Sequence, residues 1–310
     1  MTQLKLTIAI STFNRYQSLK DYLLPSIEKI TYSNYEVIFI DDHSTDETYQ
    51  LLNEYKNKHS NLRIYRNSKN RGTPFSRNYV ATKAKGEIIV FADDDVELFP
   101  NCLDEVVKLY LNDADLAMGW GCVYQCHGNR DRNKATFGTG SLFFIKKSIL
   151  DYIKFDTNLR YFRTYVCEEH EFARRVRKNG LKIIRAEKVK VNHYQAPSQN
   201  RIWRGLGGDL NYLYEQLKKG SLFNYYFCIF KGFYICIKLL SDKDSVKKSL
   251  AAHPYKTAIL MIHRFLVIVK TGDLLTASKW LFYITVDIPI RAKSKTIIEN
   301  KKIKQLKKII

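Results

Sequence analysis

Cysteine is scarce: six in 310 residues, at 102, 122, 126, 167, 228 and 236, are too few and too scattered for a disulfide scaffold. Proline and glycine are scarce too, and six Pro with 14 Gly exclude a collagen-like repeat or a low-complexity array. Nothing at the N-terminus resembles a signal peptide, so a reducing cytoplasm is the expected compartment. No internal repeat is visible, and no helix-turn-helix, RNP-like or zinc-finger pattern occurs. A convincing membrane span is also missing. The best stretch, Leu222 to Leu240, carries Lys231 at its centre, which costs roughly 2.5 to 3.5 kcal/mol in a bilayer.

What is present is enough to bury a core, with 45% hydrophobic and 13% aromatic residues. The length suits one large domain or two ordinary ones. Net charge is +20, and most of it lies late: residues 200–310 hold 21 Lys+Arg against 7 Asp+Glu. Such an asymmetry suits an acidic partner for the last third, either nucleic acid or an anionic membrane surface.

Apolar runs and helical periodicities alternate over the first hundred residues. Strands are predicted at Leu6 to Ser11, Tyr35 to Ile40, Leu62 to Tyr65 and Gly86 to Ala92, with helices at Gln17 to Ile30, Asp46 to Lys58 and Pro74 to Ala84. Further strands are expected at Leu116 to Val123, Ser141 to Ile145 and 181–192, and a helix at Glu168 to Lys178, acidic first and basic last as its dipole favours. This pattern implies an α/β fold with a mostly parallel central sheet and a ligand site beyond the carboxyl ends of its strands. Past Pro197 the chain turns to aromatic and aliphatic helices interspersed with Lys. Two regions follow: 1–199, and a basic α-helical 200–310.

The polar clusters fall at those strand ends. Asp93-Asp94-Asp95 closes a buried strand, and adjacent carboxylates raise one another's pKa. A hard divalent cation, Mg or Mn, would relieve the repulsion and bridge to phosphate oxygens; the plainer reading is a solvated acidic turn.

At this point residues 4 to about 195 resemble a family 2 glycosyltransferase of the GT-A fold. Ser11-Thr12-Phe13-Asn14-Arg15 is similar to the family's first-strand loop, which touches the nucleotide, and Asp41-Asp42-His43-Ser44-Thr45-Asp46 to its DDxSxD turn. The resemblance implies that Asp42 accepts a hydrogen bond from the uracil ring. Asn70-Arg71-Gly72 and Arg77-Asn78 resemble the NxG…ARN segment, where backbone and Arg approach the base and diphosphate, with Ser76 in place of the usual Ala. Asp93-Asp94-Asp95 stands where the DxD motif would, implying Asp95 as metal ligand and Asp93 nearer the ribose.

Sugar transfer needs a base to deprotonate the acceptor hydroxyl. By resemblance to the family's ED pair this is Glu169, with Glu168 as the fallback; Glu at 169 departs from the usual Asp. His193 falls where the family places a group near the metal and diphosphate, although a structural role is as good a reading for a lone His. Gly138 to Ser141, with Gly140 at its centre, would line the donor sugar, or merely reverse the chain. Cys122, Cys126 and His127, with Cys167 distant, are poorly spaced for structural zinc. An oxidoreductase is disfavoured, because no GxGxxG follows the first strand.

In the last third, Asn224, Lys231 and Lys238 recur every seven residues, as do Lys256, His263 and Lys270, giving two aromatic helices one polar edge each. They suit the membrane interface, or a packed helical bundle. Gln199-Asn200-Arg201-Ile202-Trp203 resembles the QxxRW signature of processive synthases with the wrong spacing. The expectation is therefore an inverting, metal-dependent transferase. It would move one sugar from a nucleotide donor, UDP-linked, to a glycan or lipid-linked glycan at the cytoplasmic membrane face. A nucleic-acid-binding protein and an inactive scaffold are the rival classes.

Overall fold

The computed structural model describes residues 3–126, 135–159, 168–194 and 274–292, with Tyr214, Leu217, Lys218, Tyr226 and Lys295. The chain divides into two compact units: Met1–Thr157, Glu168–Gln199 and Ile309–Ile310 form one, Asn158–Cys167 and Asn200–Lys308 the other.

The first unit is α/β. Its elements are β1 (Leu6–Thr12), α1 (Tyr16–Ser18, a π-helical turn Leu19–Leu23, then Leu24–Ile27), β2 (Tyr35–Asp41), α2 (Thr48–Lys56), β3 (Leu62–Arg66), α3 (Thr73–Lys83) and β4 (Ile88–Ala92). There follow β5 (Val96–Leu98), α4 (Cys102–Asn112), β6 (Leu116–Gln125), β7 (Ala135–Thr136), β8 (Leu142–Lys146), α5 (Lys147–Tyr152), α6 (Glu168–Lys178) and β9 (Lys182–His193). The strands join one sheet in the order β3-β2-β1-β4-β8-β6-β9-β5, with β7 beside β6.

The alternating repeats produce the parallel half, β3-β2-β1-β4. Its three inner strands, β2, β1 and β4, are largely apolar on both faces: Leu6, Ile8, Ile10, Val37, Phe39, Ile88 and Val90 enter the core, while Ala9, Ile38, Ile40, Ile89 and Phe91 are buried too. Beyond β4 the sheet is mixed, since β8 runs antiparallel to β4 and to β6, whereas β9 is parallel to β6 and antiparallel to β5. Both strands that follow β6, β7 and β8, run antiparallel to it, and no helix stands between β6 and β8 among the described residues.

Three strand pairs beyond the pairings of the parallel half position the site. Ala92 stands opposite Leu142, so the turn ending at Ser141 lies beside the acids after β4, and the Asp93 N–H donates to the Ser141 carbonyl at 3.2 Å. Val96 and Gln125 both stand opposite His193, which delivers His193 to the same acids.

In the second unit the described helix α7 runs through Leu274–Phe282 and a π-helical turn, Tyr283–Asp287. The helix continues over 288–292, and Trp280, Ile284, Ile288 and Ala292 are its buried apolar residues beside Pro289. Among the described residues no helix is long and apolar enough to cross a membrane. The segments at 222–240 and 256–270, the basic tail and residues 199–203 lie outside the described residues, apart from single positions.

Candidate functional site

Thr12 and Asp41 end their strands level with each other, and the Asp42 N–H donates to the Thr12 carbonyl at 2.8 Å. Asp42, 3% exposed, is held by three protein donors: Asn67 Nδ2 at 2.7 Å and the Arg71 N–H at 2.8 Å on Oδ1, and the Gly72 N–H at 2.7 Å on Oδ2. A carboxylate offers about four acceptor positions, so about one stays open. Gly72 makes this cage possible, because its φ of 84° ahead of α3 is a backbone shape that side chains resist. Asp41 accepts the Ser44 N–H at 3.1 Å and pairs with Arg66 Nε at 3.1 Å.

The loop after β1 docks onto the same turn. Asn14, in the left-handed region at φ 53°, donates its N–H to Ser44 Oγ at 3.0 Å and accepts the Thr45 N–H at 2.8 Å. The Arg15 N–H donates to Thr48 Oγ1 at 2.8 Å, while its Nε reaches Asp94 Oδ1 at 3.2 Å. Arg15 thereby joins the β1–β2 end to the acids after β4. Phe13 is half-buried in this loop, and Asn70 is exposed on the loop before α3.

The three consecutive acids crowd one another. Burial pushes Asp94 up to about 7, against the pull of Arg15, and Asp95 adds to the push. Asp93 is also raised, first by burial and then by Asp95, with Arg77 and His193 opposing. Asp95, 5% exposed, has Oδ1 3.1 Å from His193 Nε2, and the His193 Nδ1 meets Gln125 Oε1 at 3.0 Å. With its Nδ1 proton given to Gln125, the imidazole turns an Nε2 lone pair toward the carboxylate, the usual outer support of a metal-binding histidine.

One ligand atom each from Asp93, Asp95 and His193 lies within 4.8 Å of the others; among the described residues no other group of three His, Cys, Asp or Glu does so. Two ligands at right angles on a hard cation with bonds of ~2.1 Å stand ~3.0 Å apart, close to the 3.1 Å between Asp95 and His193. The donor set therefore fits a divalent cation. Asp93 belongs to the same group of three as Asp95 and His193. Cys122 is buried and Cys126 half-buried outside this group, and His127 and Cys167 lie outside the described residues.

Arg77 departs most from expectation. It is 4% exposed, its guanidinium lies 5.0 to 5.9 Å from the ring centres of Phe91, Phe143 and Phe155, and it points along the sheet toward α6. Nη1 donates to Glu168 Oε1 at 3.1 Å and Nη2 to the Gly140 carbonyl at 3.2 Å, with Asp93 Oδ1 3.7 Å away. Its charge is committed to the Glu168 side of the site. Glu168 is itself 4% exposed and its pKa is raised, first by burial and then by Glu169, with Arg77 opposing. Glu169 is engaged differently: its Oε1 lies 3.9 Å from His170 Nε2, and its carboxylate interacts with that of Glu168 and not with Arg77. Its side chain is 14% exposed, and its carboxyl carbon lies 3.5 Å from where a Cβ on Gly140 would stand, a point itself 3.2 Å from Arg77 Nη2. Glu169, Gly140, Arg77 and Asp93 thus form one wall.

Sequence reasoning missed Asn67, Gln125 and the three Phe rings. Nothing local marks them, because each acts through a strand pairing or a loop distant in sequence.

A profile of the family described as "Glycosyl transferase family 2" matches residues 7–178, more than half of the chain. The chain belongs to glycosyl transferase family 2. The poly(ribitol-phosphate) β-glucosyltransferase of Bacillus spizizenii is 34% identical over 94 residues, 30% of this chain and 15% of that protein. The GalNAc(5)-diNAcBac-PP-undecaprenol β-1,3-glucosyltransferase of Campylobacter jejuni is 27% identical over 126 residues, 40% of each chain. The matched part spans well under half the length of these curated relatives. Among solved structures, the mannosyltransferase PcManGT from Pyrobaculum calidifontis, in complex with GDP-Man and Mn2+, superposes with a TM-score of 0.56 at 15% identity, covering 93% of this chain and 88% of that one. GalNAc-T7 with UDP, GalNAc and Mn2+ gives 0.56 at 19% identity, covering 69% and 48%. Both carry the GT-A architecture, which this family 2 member shares.

Proposed function

We propose that this family 2 protein transfers a single sugar, with inversion, from a nucleotide-sugar donor, UDP-linked, to a hydroxyl of a glycan or lipid-linked glycan. The observation that carries the reading is the convergence of three groups on one rim. They are the caged Asp42 with Asn14 and Arg15, the Asp93–Asp95–His193 ligand set, and Glu169 across Gly140.

Asp42 has about one acceptor position left on Oδ2, the position suited to a ring N–H of a pyrimidine base. Thr12, Phe13 and Asn14 border the same place, and the loop of Asn70 and Gly72 closes it. Asp93, Asp95 and His193 would hold Mn or Mg, which when bound supplies Lewis-acid neutralisation of the departing diphosphate. Asp94 and Arg15 hold the loop after β1 against these ligands. Glu169 is the general base. Its carboxylate is partly open and free of Arg77, whereas the Glu168 carboxylate is buried and bound to it. Arg77 ties the 138–141 turn to Glu168 and so holds the base beside the donor wall. The bound ligands named for the two structural neighbours and the lipid-linked or polymeric acceptors named for the relatives support the same assignment. Action at the cytoplasmic membrane face belongs to this proposal.

The experiment is a panel of nucleotide sugars read by thermal stabilisation with and without manganese, followed by transfer assays with the stabilising donor. One UDP-sugar should stabilise the protein in the presence of manganese. Stabilisation by none of them, in a protein shown to be folded, would remove the proposal.

A further inference from the structure

Helix α7 has two apolar faces, and only one of them is used. Trp280, Ile284, Ile288 and Ala292 are 2% exposed or less. On the other side Leu281, Phe282, Val286 and Ile290 are 44, 53, 40 and 61% exposed. Among the described residues these four and Leu111 are all of the exposed large hydrophobics, so four of the five lie on one short helix. Single exposed apolar residues are ordinary, but a contiguous set marks an interaction surface. The polar atoms that could interrupt the stripe are spent elsewhere: Thr285 returns its hydroxyl to the Leu281 carbonyl at 2.7 Å, and Asp287 is tied to Arg291 Nε at 2.7 Å.

The charge around the stripe selects its occupant. Lys279 is exposed on the same helix. Residues 291–310, which follow it, hold eight Lys+Arg and one acid, and residues 200–310 hold 21 Lys+Arg against 7 Asp+Glu. A second copy of the chain would bring the same cations to the contact and be repelled. An anionic lipid surface offers the opposite charge to the Lys edge and an acyl boundary to the rings, which is how an amphipathic helix lies in a membrane interface.

We infer that α7 is a membrane-docking element, with Leu281, Phe282, Val286 and Ile290 inserted at the acyl boundary of an anionic lipid surface and Lys279 at its headgroups. This locates the attachment on a named helix and does not depend on the transfer reaction.

The test compares the full chain with Phe282→Ser/Val286→Ser/Ile290→Ser and, separately, Lys279→Ser. Each is sedimented with vesicles of equal parts phosphatidylglycerol and phosphatidylcholine and with phosphatidylcholine alone. Each buried CH₂ changes partitioning about fourfold. The triple variant removes several such groups and should therefore lose more than about 10²-fold in affinity for the mixed vesicles while keeping its melting temperature. Lys279→Ser should lose about fivefold at low salt. The wild-type chain should bind phosphatidylcholine alone much more weakly. Wild-type binding by the triple variant would overturn the inference. So would equal binding of the wild type to both vesicles, or a vesicle-free dimer that the triple variant abolishes. A large fall in melting temperature would also overturn it, since the face would then be packed within the protein.

Discussion

The two acidic ends of the parallel half are built on opposite plans. After β2, Asp42 is enclosed by three donors of the protein itself, and Asp41 by the Ser44 N–H and Arg66. After β4, Asp93, Asp94 and Asp95 crowd one another, with Arg15 on Asp94 and Arg77 3.7 Å from Asp93, and two of the three are pushed up in pKa. The first end is a finished piece of structure that uses charge to fix a loop. The second gathers three consecutive carboxylates that raise one another's proton affinity, a stability cost that makes sense where a cation is to be received.

The largest expected effect falls on Glu169, the carboxylate beside Gly140. Glu169→Gln should keep donor affinity and lose about 10² to 10⁴ in transfer rate, with Glu168→Gln milder in steady-state assays. A reversed order would move the base by one residue. Next, Asp95→Asn should weaken manganese-dependent UDP binding by more than about 10²-fold, since even outer support of a ligand is worth 10 to 100-fold. In chelator its melting temperature should hold or rise, because a repulsive charge has gone. Calorimetry and thermal melts separate these outcomes, and a destabilised metal-free variant would break the comparison.

Asp42→Asn should do the reverse. An amide nitrogen turned toward the backbone donors leaves a buried group unsatisfied, at about 1 to 3 kcal/mol in denaturant melts, with or without manganese. The smallest effect is one of pH. Asp94 ionises near 3.8 when unfolded and about 7 when folded, so the folded state holds its proton more tightly. Metal-free protein should then lose stability as pH rises from about 4 to about 7, where the unfolded chain has already released that proton. Melts in chelator should show this slope, and Asp94→Asn should flatten it. An identical slope in the variant would show that Asp94 is not its source.

The parallel half was legible because it is local: buried runs such as Leu6 to Ile10 and helical spacings such as Leu52 and Tyr55 carry their own period. Strand β5 and helix α4 were missed, although Asp104 and Glu105 at the start of α4 and the buried Leu103, Val106 and Tyr110 hold the usual signals. The motif order also gave the residues of both acidic ends. It could not give the destination of Arg77, which looks like a donor-binding residue in sequence and reaches Glu168, 91 positions away, only once β4, β8 and α6 are assembled. His193 is a similar case. Alone it reads equally as structural, and only the pairing of β9 with β6 and β5 sets it between Gln125 and Asp95.

Gly140 has no side chain, yet what it withholds determines what position 140 can become. A single added carbon would stand 3.2 Å from Arg77 Nη2 and 3.5 Å from the Glu169 carboxyl carbon. The Glu169 side is ordinary van der Waals contact and the Arg77 side is slightly tighter, so an added methyl would rest against the carboxylate and press the guanidinium back by a few tenths of an ångström. Ala at 140 would alter a distance and no charge. It is the one substitution in this wall that could separate the influence of spacing from that of electrostatics.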